Sequence, residues 1–291
     1  MRELAAFVLL SALWGGSFIF IRVAVPDLGP IPLMAGRVSI AAVALGLVAV
    51  VLRRRLQLGK YWRGLLVLGS VNAAIPFSFI AAAELHLTAS LASILNATVP
   101  MFAAVVSAIW LKDRLSGKQV VGLFLGLVGV GVLVGWSPLP LDLRTILSVA
   151  AMFGAALCYA LGTVYARKNM ASAPTFTLAI GQQASAALWL LVPAVWLTPT
   201  VTLSADALWA LLGLGLLSTA LAYLLYFFLL ARVGPTKTVS VTYLVPVFGV
   251  IWGATFLREP ITAGMIAGLA IIAFSLVLVT EVPIGRLNGR R

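Results

Sequence analysis

Long apolar stretches of the length that a lipid bilayer requires dominate the sequence. Hydrophobic residues make up 62% of the 291 residues, and charged residues make up only 10%. In a water-soluble globular protein about a quarter of the residues are charged, so this chain has too few charged residues for a surface exposed to water. A helix of about 20 apolar residues crosses the hydrocarbon layer and satisfies its own backbone hydrogen bonds there. We therefore predict an all-α polytopic membrane protein.

Clusters of proline, glycine and charge divide the chain into ten predicted transmembrane helices. These spans cover residues 4–25, 31–52, 62–83, 88–111, 117–136, 145–166, 175–197, 206–231, 236–257 and 262–281. The first stretch is interpreted as a span and not as a signal peptide, because it is too long and has no small-residue cleavage site.

The basic residues predict how the spans are oriented. Sixteen of the 20 Lys and Arg residues fall on one side of the alternating spans, whereas the opposite loops hold only Arg144 and Arg258. The basic side of a membrane protein faces the cytoplasm, so both termini are predicted to be cytoplasmic. This placement explains the net charge of +12, and no nucleic-acid partner is expected. Arg22 and Arg37 lie near outer helix ends, where we expect snorkelling side chains more than a role in attracting a carboxylate.

An internal repeat relates the two halves of the chain. Residues 65–134 align with residues 211–280 without a gap, and Pro246 follows Pro100 by 146 residues. The proline segments read NATVPMF and TYLVPVF, and at an offset one residue shorter Trp14 matches Tyr159. A gapless register that carries a proline and two glycines indicates duplication.

Five spans in each unit would insert the second unit the opposite way up. We predict a first repeat over residues 1–138 and an inverted second repeat over residues 139–291. Inverted repeats are typical of secondary transporters, whose substrate site lies near the midplane between the repeats. A channel built from inverted repeats remains an alternative.

The ten spans, the two five-helix repeats, the early WGGSFIFIR and the paired proline segments resemble the drug/metabolite transporter (DMT) superfamily with two EamA-type units. The resemblance covers essentially the whole chain. It implies a carrier that exports amino acids or other metabolites across the bacterial inner membrane by alternating access. Within the superfamily, the sequence is similar to the aromatic amino-acid exporters.

Mid-span prolines are candidate helix breaks. Pro100 and Pro246 cannot donate a hydrogen bond to the carbonyls of Asn96 and Thr242, four residues earlier. We expect these two matching bends to expose polar groups in a cavity, the alternative being plain kinks with Asn96 as interhelical hydrogen-bond glue. Pro76 is expected to bend the third span.

Aromatic and hydroxyl side chains lie at the same predicted depth as these breaks. The candidate substrate-binding residues are Trp14, Ser17, Phe77, Asn96, Tyr159, Thr163, Tyr223, Thr242 and Tyr243. Rings with a few hydroxyls and an amide suit an apolar or aromatic ligand of modest polarity. For each single ring, helix packing is the alternative.

The placement of the ionisable residues limits the chemistry. All eight acids lie in loops or at helix ends, so we predict no carboxylate-based proton or sodium coupling. His86 is the only histidine and Cys158 the only cysteine, so we expect neither a catalytic residue nor a metal or other cofactor. The partners we expect are a small-molecule substrate and the lipid bilayer. A sugar-phosphate or nucleotide-sugar carrier of the same fold is the remaining alternative, but it would need a deep cation, which we do not expect.

Glycine pairs predict how two spans pack. Gly122 and Gly126 are four residues apart in the fifth span, and Gly264 and Gly268 repeat this spacing in the tenth. Small residues at this spacing let helix backbones approach closely. We predict that the fifth and tenth spans pack together, away from the substrate.

Overall fold

The structure, a computed structural model, describes the whole chain except residues 138–139, 141, 198–202, 235–236, 239 and 281–291. The described part is helical and contains no strand. Its helices are α1 Arg2–Leu28, α2 Pro30–Val51, α3 Leu58–Gly69, α4 Ile75–Ala83, α5 Ala89–Asn96, α6 Val99–Trp110, α7 Gly117–Gly135, α8 Leu143–Asn169, α9 Thr175–Leu197, α10 Ala205–Gly215, α11 Ala222–Val233, α12 Val241–Phe256 and α13 Ala263–Thr280. Two π-helical segments complete the third and eighth spans. The first is Ser70–Ala74, between α3 and α4, and the second is Leu216–Leu221, between α10 and α11.

Hydropathy confirms the all-α membrane architecture. Nine helical stretches of the described residues are long and apolar enough to cross a membrane, and α12, with 16 residues, is a shorter apolar helix. Large apolar side chains such as Leu47, Phe124 and Val195 are exposed on the outside of the bundle. Lipid tails solvate such a surface, whereas water would not.

The two mid-span prolines lie in different local structures. The fourth span is divided: α5 ends at Asn96, and α6 restarts at Val99 with Pro100 in its first turn. The Thr98 hydroxyl donates to the carbonyl of Leu95 at 2.7 Å and so competes with the helical backbone bonds. Pro246, in contrast, lies inside the continuous helix α12.

One difference in sequence accompanies this difference between the prolines. Leu244 occupies the position that matches Thr98 at the offset of 146 residues. A leucine has no hydroxyl, so the second copy has no equivalent of the bond from Thr98 to the Leu95 carbonyl.

The two π segments occur at matching points of the repeat. Leu216 follows Ser70 by 146 residues, the offset that relates the prolines. Pro76 lies in the first turn of α4, directly after the first π segment, and it lacks the N–H that an α-helix would use there. The third span therefore contains a π segment next to Pro76, and the bend expected at Pro76 stays a prediction. Such segments are rare and are frequently found at functional sites.

The fifth and tenth spans pack together, as the glycine pairs predict. The hydroxyl of Ser275 in α13 donates to the carbonyl of Gly122 in α7 at 2.6 Å. A Cβ atom added at Gly122 would lie 2.8 Å from a methyl carbon of Val279 and 2.9 Å from Cβ of Leu278. Only a residue without a side chain fits at this crossing.

This close approach predicts a large difference between two glycines of α7. We expect Gly122→Val to destabilise the protein by about 1–3 kcal/mol, because the side chain must push α13 away. Gly131→Val is the matched control, since an added Cβ there meets open space. Thermal unfolding of the purified protein in detergent measures both variants. Equal melting temperatures would contradict the close helix crossing.

Candidate functional site

Polar side chains from three spans form a hydrogen-bonded chain at the first π segment. The amide nitrogen of Asn72 donates to the amide oxygen of Gln182 at 2.9 Å. The amide nitrogen of Gln182 in turn donates to the hydroxyl of Tyr223 at 2.9 Å. Gln182 is only 5% exposed, so these bonds run through the interior of the bundle. They join the third, seventh and eighth spans at the level of the π segment.

A buried arginine lies at the second π segment. Arg37 is 6% exposed, and its Nε donates to the Thr219 hydroxyl at 3.0 Å. Its guanidinium carbon lies 3.8 Å from the centre of the Phe77 ring. Thr219 is at the middle of the 29-residue stretch Ala205–Val233. The prediction that Arg37 snorkels to the surface is therefore wrong, and so is the expectation that no cation lies deep in the spans.

The contacts of Arg37 and Gln182 match each other across the repeat. Gln182 follows Arg37 by 145 residues, the same offset that matches Trp14 with Tyr159. Arg37 in the first half binds the π segment of the second half, and Gln182 in the second half binds the π segment of the first. The aromatic neighbours, Phe77 and Tyr223, also occupy matching positions. The two halves thus each contribute one contact to the π segment of the other, although Arg37 donates to Thr219 whereas Gln182 accepts from Asn72.

Three of the predicted ligand residues meet at this centre. The rings of Phe77 and Tyr159 lie 6.2 Å apart at an angle of 61°, an edge-to-face contact. Tyr159 and Tyr223 both lie within electrostatic reach of the Arg37 guanidinium. The ring centres of Trp14 and of Tyr226, on the neighbouring α11, lie 5.9 Å apart. Phe77, Tyr159 and Tyr223 therefore line the surroundings of Arg37.

Other predicted residues lie apart from this cluster or are engaged locally. The Ser17 hydroxyl donates to the carbonyl of Trp14 at 2.6 Å within α1. Tyr243 shares a hydrogen bond with Thr280 at the end of α13, and Thr163 is exposed on α8. Thr242 is half-buried near the start of α12.

Two buried amides are incompletely bonded. The side-chain oxygen of Asn96 is buried at the break in the fourth span and has no hydrogen-bond partner. This oxygen therefore does not act as hydrogen-bond glue between helices. Gln183 is fully buried beside the Tyr223 hydroxyl, and neither atom of its amide group forms a hydrogen bond with a donor–acceptor distance of 3.5 Å or less and suitable angles. An unsatisfied buried amide costs about 1–3 kcal/mol, so a bound molecule that supplies these bonds would be favoured.

Four of the central residues were not predicted as site residues. The sequence-based prediction does not include Asn72, Gln182 and Thr219, and it places Arg37 at the membrane surface. The usable signal was that each is a polar residue inside an apolar span, a placement that indicates function. The offset of 145 residues between Arg37 and Gln182 was a second signal.

A carboxylate joins the halves at the predicted outer end. The carboxylate of Glu259 accepts hydrogen bonds from the backbone of Ala89 at 2.8 Å and of Ser90 at 2.9 Å, and from the Ser90 hydroxyl at 2.5 Å. Ala89 and Ser90 begin α5, whose N-terminal N–H groups favour an anion. Glu259 therefore fixes the start of the fourth span to the segment after α12.

Glu84, directly after the third span, is a second carboxylate at this end. It is fully buried, and neither carboxylate oxygen has a hydrogen-bond partner. Burial raises the pKa of Glu84 well above its ordinary value; Arg22 and Arg37 oppose this rise, and Glu259 adds to it. Arg22 donates to the backbone carbonyl of Glu84 and thus ties α1 to the end of the third span.

Nothing in the described part of the chain forms a metal-binding cluster. No group of three or more His, Cys, Asp or Glu residues there is placed to hold an ion. The polar groups of the central site are a guanidinium, amides and hydroxyls. Such groups recognise a small polar molecule by hydrogen bonds and charge.

Comparison with known proteins agrees with this architecture. The model of the EamA-like transporter family matches residues 1–135 and again residues 146–281. A crystal structure with 19% sequence identity aligns at a TM-score of 0.67 over 96% of both chains, which shows a shared fold.

Relatives over nearly the full length are described as transporters. The uncharacterized transporter YvbV of Bacillus subtilis strain 168 is 27% identical over 95% of this chain and 90% of its own. A probable terminal-alkyne amino-acid exporter of Streptantibioticus cattleyicolor is 24% identical over 97% of this chain and 94% of its own. A probable amino-acid metabolite efflux pump of Salmonella typhimurium is 26% identical over 93% and 92%. With the family model matching both halves, this chain is a multi-pass membrane transporter that belongs to the EamA-like family of the DMT superfamily.

Proposed function

We propose that the protein is a secondary carrier that exports amino acids or related small metabolites across the inner membrane by alternating access. The observation that carries the proposal is the pair of hydrogen bonds that cross between the halves, from Arg37 to Thr219 and from Asn72 to Gln182. An alternating-access carrier needs one central site to which both moving units contribute. A site that includes both π segments meets this need.

The chemistry of the site supports the substrate class. Rings from Phe77 and Tyr159 provide apolar walls, and Arg37, Gln182 and Gln183 provide charge and hydrogen bonds. This combination suits a small amphipathic molecule with one charged end. The names of two relatives, an amino-acid exporter and an amino-acid metabolite efflux pump, agree with it.

The arrangement that we infer has two inverted units, residues 1–138 and 139–291, with both termini in the cytoplasm. Asp113 precedes Glu259 by 146 residues, so the two are equivalent acids at opposite ends. Glu259 holds the start of α5 by three hydrogen bonds, whereas Asp113 forms a 3.7 Å ion pair with Arg167 in which both side chains are exposed. This difference supports a conformation closed more tightly at the outer end.

A carrier of phosphorylated sugars or nucleotides is the second candidate, because Arg37 supplies the deep cation that such a carrier needs. The central cluster holds this one guanidinium, which matches a singly charged anion better than a doubly charged phosphate ester. We therefore rank the amino-acid carrier first.

Substrate exchange in proteoliposomes tests the carrier function. We expect purified protein in proteoliposomes to show saturable counterflow of at least one labelled L-amino acid. Asn96→Ala should lower its apparent affinity or rate several-fold, because the variant removes a buried amide near the helix break. Tyr243→Phe is the control, since its hydroxyl is engaged with Thr280 away from the centre. Unitary conductance without counterflow would instead assign a channel.

Imposed ion gradients test whether transport is coupled to protons or sodium. We expect that imposed proton or sodium gradients do not drive accumulation, because each described carboxylate lies at a helix end or in a loop. Glu84→Gln is the decisive variant, since Glu84 is a buried carboxylate with no hydrogen-bond partner. Accumulation that follows the pH gradient and is lost in Glu84→Gln would overturn uncoupled exchange and assign Glu84 as the proton carrier.

A further inference from the structure

The charge of Arg37 forms no ion pair with a carboxylate of the residues that the structure describes. No carboxylate of the described residues lies within 4 Å of its guanidinium, although the side chain is only 6% exposed. Glu84 lies within electrostatic reach, yet its oxygens have no hydrogen-bond partner. A buried charge without a partner is costly, and in membrane proteins it marks a functional position.

The hydrogen-bonding capacity of the guanidinium is mostly unused. Nε donates to Thr219, whereas a terminal nitrogen contacts only the sulfur of Met34 at 4.0 Å. A guanidinium offers five N–H donors in a planar fork. Among the described residues, the two terminal nitrogens have no oxygen acceptor. They form the part of the fork that binds a carboxylate through two parallel bonds.

The surroundings hold this fork in place before any ligand arrives. Thr219 fixes Nε at 3.0 Å, and the Phe77 ring lies against the guanidinium at 3.8 Å. A cation over an aromatic face is stabilised without being neutralised, so its attraction for an anion remains. A preorganised donor binds its ligand at a lower cost in conformational entropy.

We propose that Arg37 binds the carboxylate of the transported molecule, so that the substrates are small monocarboxylates. The inference rests on the proposed carrier function and names the group by which the central site selects its substrate. The fully buried amide of Gln183 offers unused hydrogen bonds for a second polar group of the same molecule. Phe77 and Tyr159 face its apolar part.

The test compares an acid with its amide. Labelled L-phenylalanine is exchanged in proteoliposomes against unlabelled L-phenylalanine, L-phenylalaninamide or phenyl phosphate. We expect the acid to compete about 10- to 100-fold better than the amide, as a charge-assisted bidentate contact implies. In Arg37→Gln this preference should fall to about 3-fold or less, and Arg37→Lys should retain part of it.

Two controls separate this role from a structural one. Arg22→Gln removes another arginine, one whose guanidinium binds the Glu84 carbonyl, and should keep the preference for the acid. Glu84→Gln should keep it as well, because in this account the substrate and not Glu84 neutralises Arg37. Loss of the preference in Glu84→Gln but not in Arg37→Gln would overturn the proposal.

A binding measurement separates failure of the inference from failure of the proposed function. Thermal stabilisation of the purified protein by L-phenylalanine and by its amide is recorded without transport. Acid-specific stabilisation that Arg37→Gln abolishes, without counterflow, would support the inference and contradict the carrier function. Counterflow with equal competition by acid and amide would contradict the inference alone. The comparison of acid and amide on the wild-type protein tests the inference even if Arg37→Gln does not fold. Stronger competition by phenyl phosphate than by L-phenylalanine would mean that Arg37 binds a phosphate and not a carboxylate, and would overturn the proposal.

Discussion

Arg37 carries a charge that the apolar interior cannot solvate, and the helices around it are arranged to meet that requirement. Its Nε bonds to Thr219, and its guanidinium rests against Phe77. Thr219 lies in a π segment, and its hydroxyl also donates to the carbonyl of Leu214 at 2.8 Å. The irregular backbone of the eighth span and the buried cation of the second span therefore support each other. A straight α-helix there would turn the Thr219 hydroxyl to another direction.

The same arrangement recurs with neutral groups in the other half. Gln182 occupies the position that matches Arg37, and its partner on the π segment is Asn72, which donates to it. The repeat has thus kept a polar contact to each π segment, while only the first copy places a charge there.

Much of the fold could be predicted from the sequence because hydropathy and glycine spacing report local requirements. The close crossing of α7 and α13 is an example, since Gly122 and Gly268 serve no other purpose than close approach. An irregularity at Pro100 could be predicted from the missing N–H of proline. The extent of the break could not, because it also involves the Thr98 hydroxyl, which the second copy lacks.

The centre of the site was harder to predict. Counting residues from the start of α2 places Arg37 two turns from a helix end, within reach of a membrane surface for a long side chain. Only the position of the second π segment against α2 shows that the side chain points inward. For Asn72 and Gln182, the polar side chains inside apolar spans are visible in the sequence, but the 2.9 Å bond between them is not. Contacts between distant spans are not encoded in the periodicity of either span.

A structure of the protein with L-phenylalanine bound would show whether Arg37 binds the substrate. We expect the ligand to lie between the two π segments, with a carboxylate oxygen within hydrogen-bond distance of a terminal nitrogen of Arg37. A ligand that contacts neither Arg37 nor the amides of Gln182 and Gln183 would contradict this expectation. One such result would be binding in the cleft of about 360 Å³ that Pro100, Asp113 and Thr280 help to line.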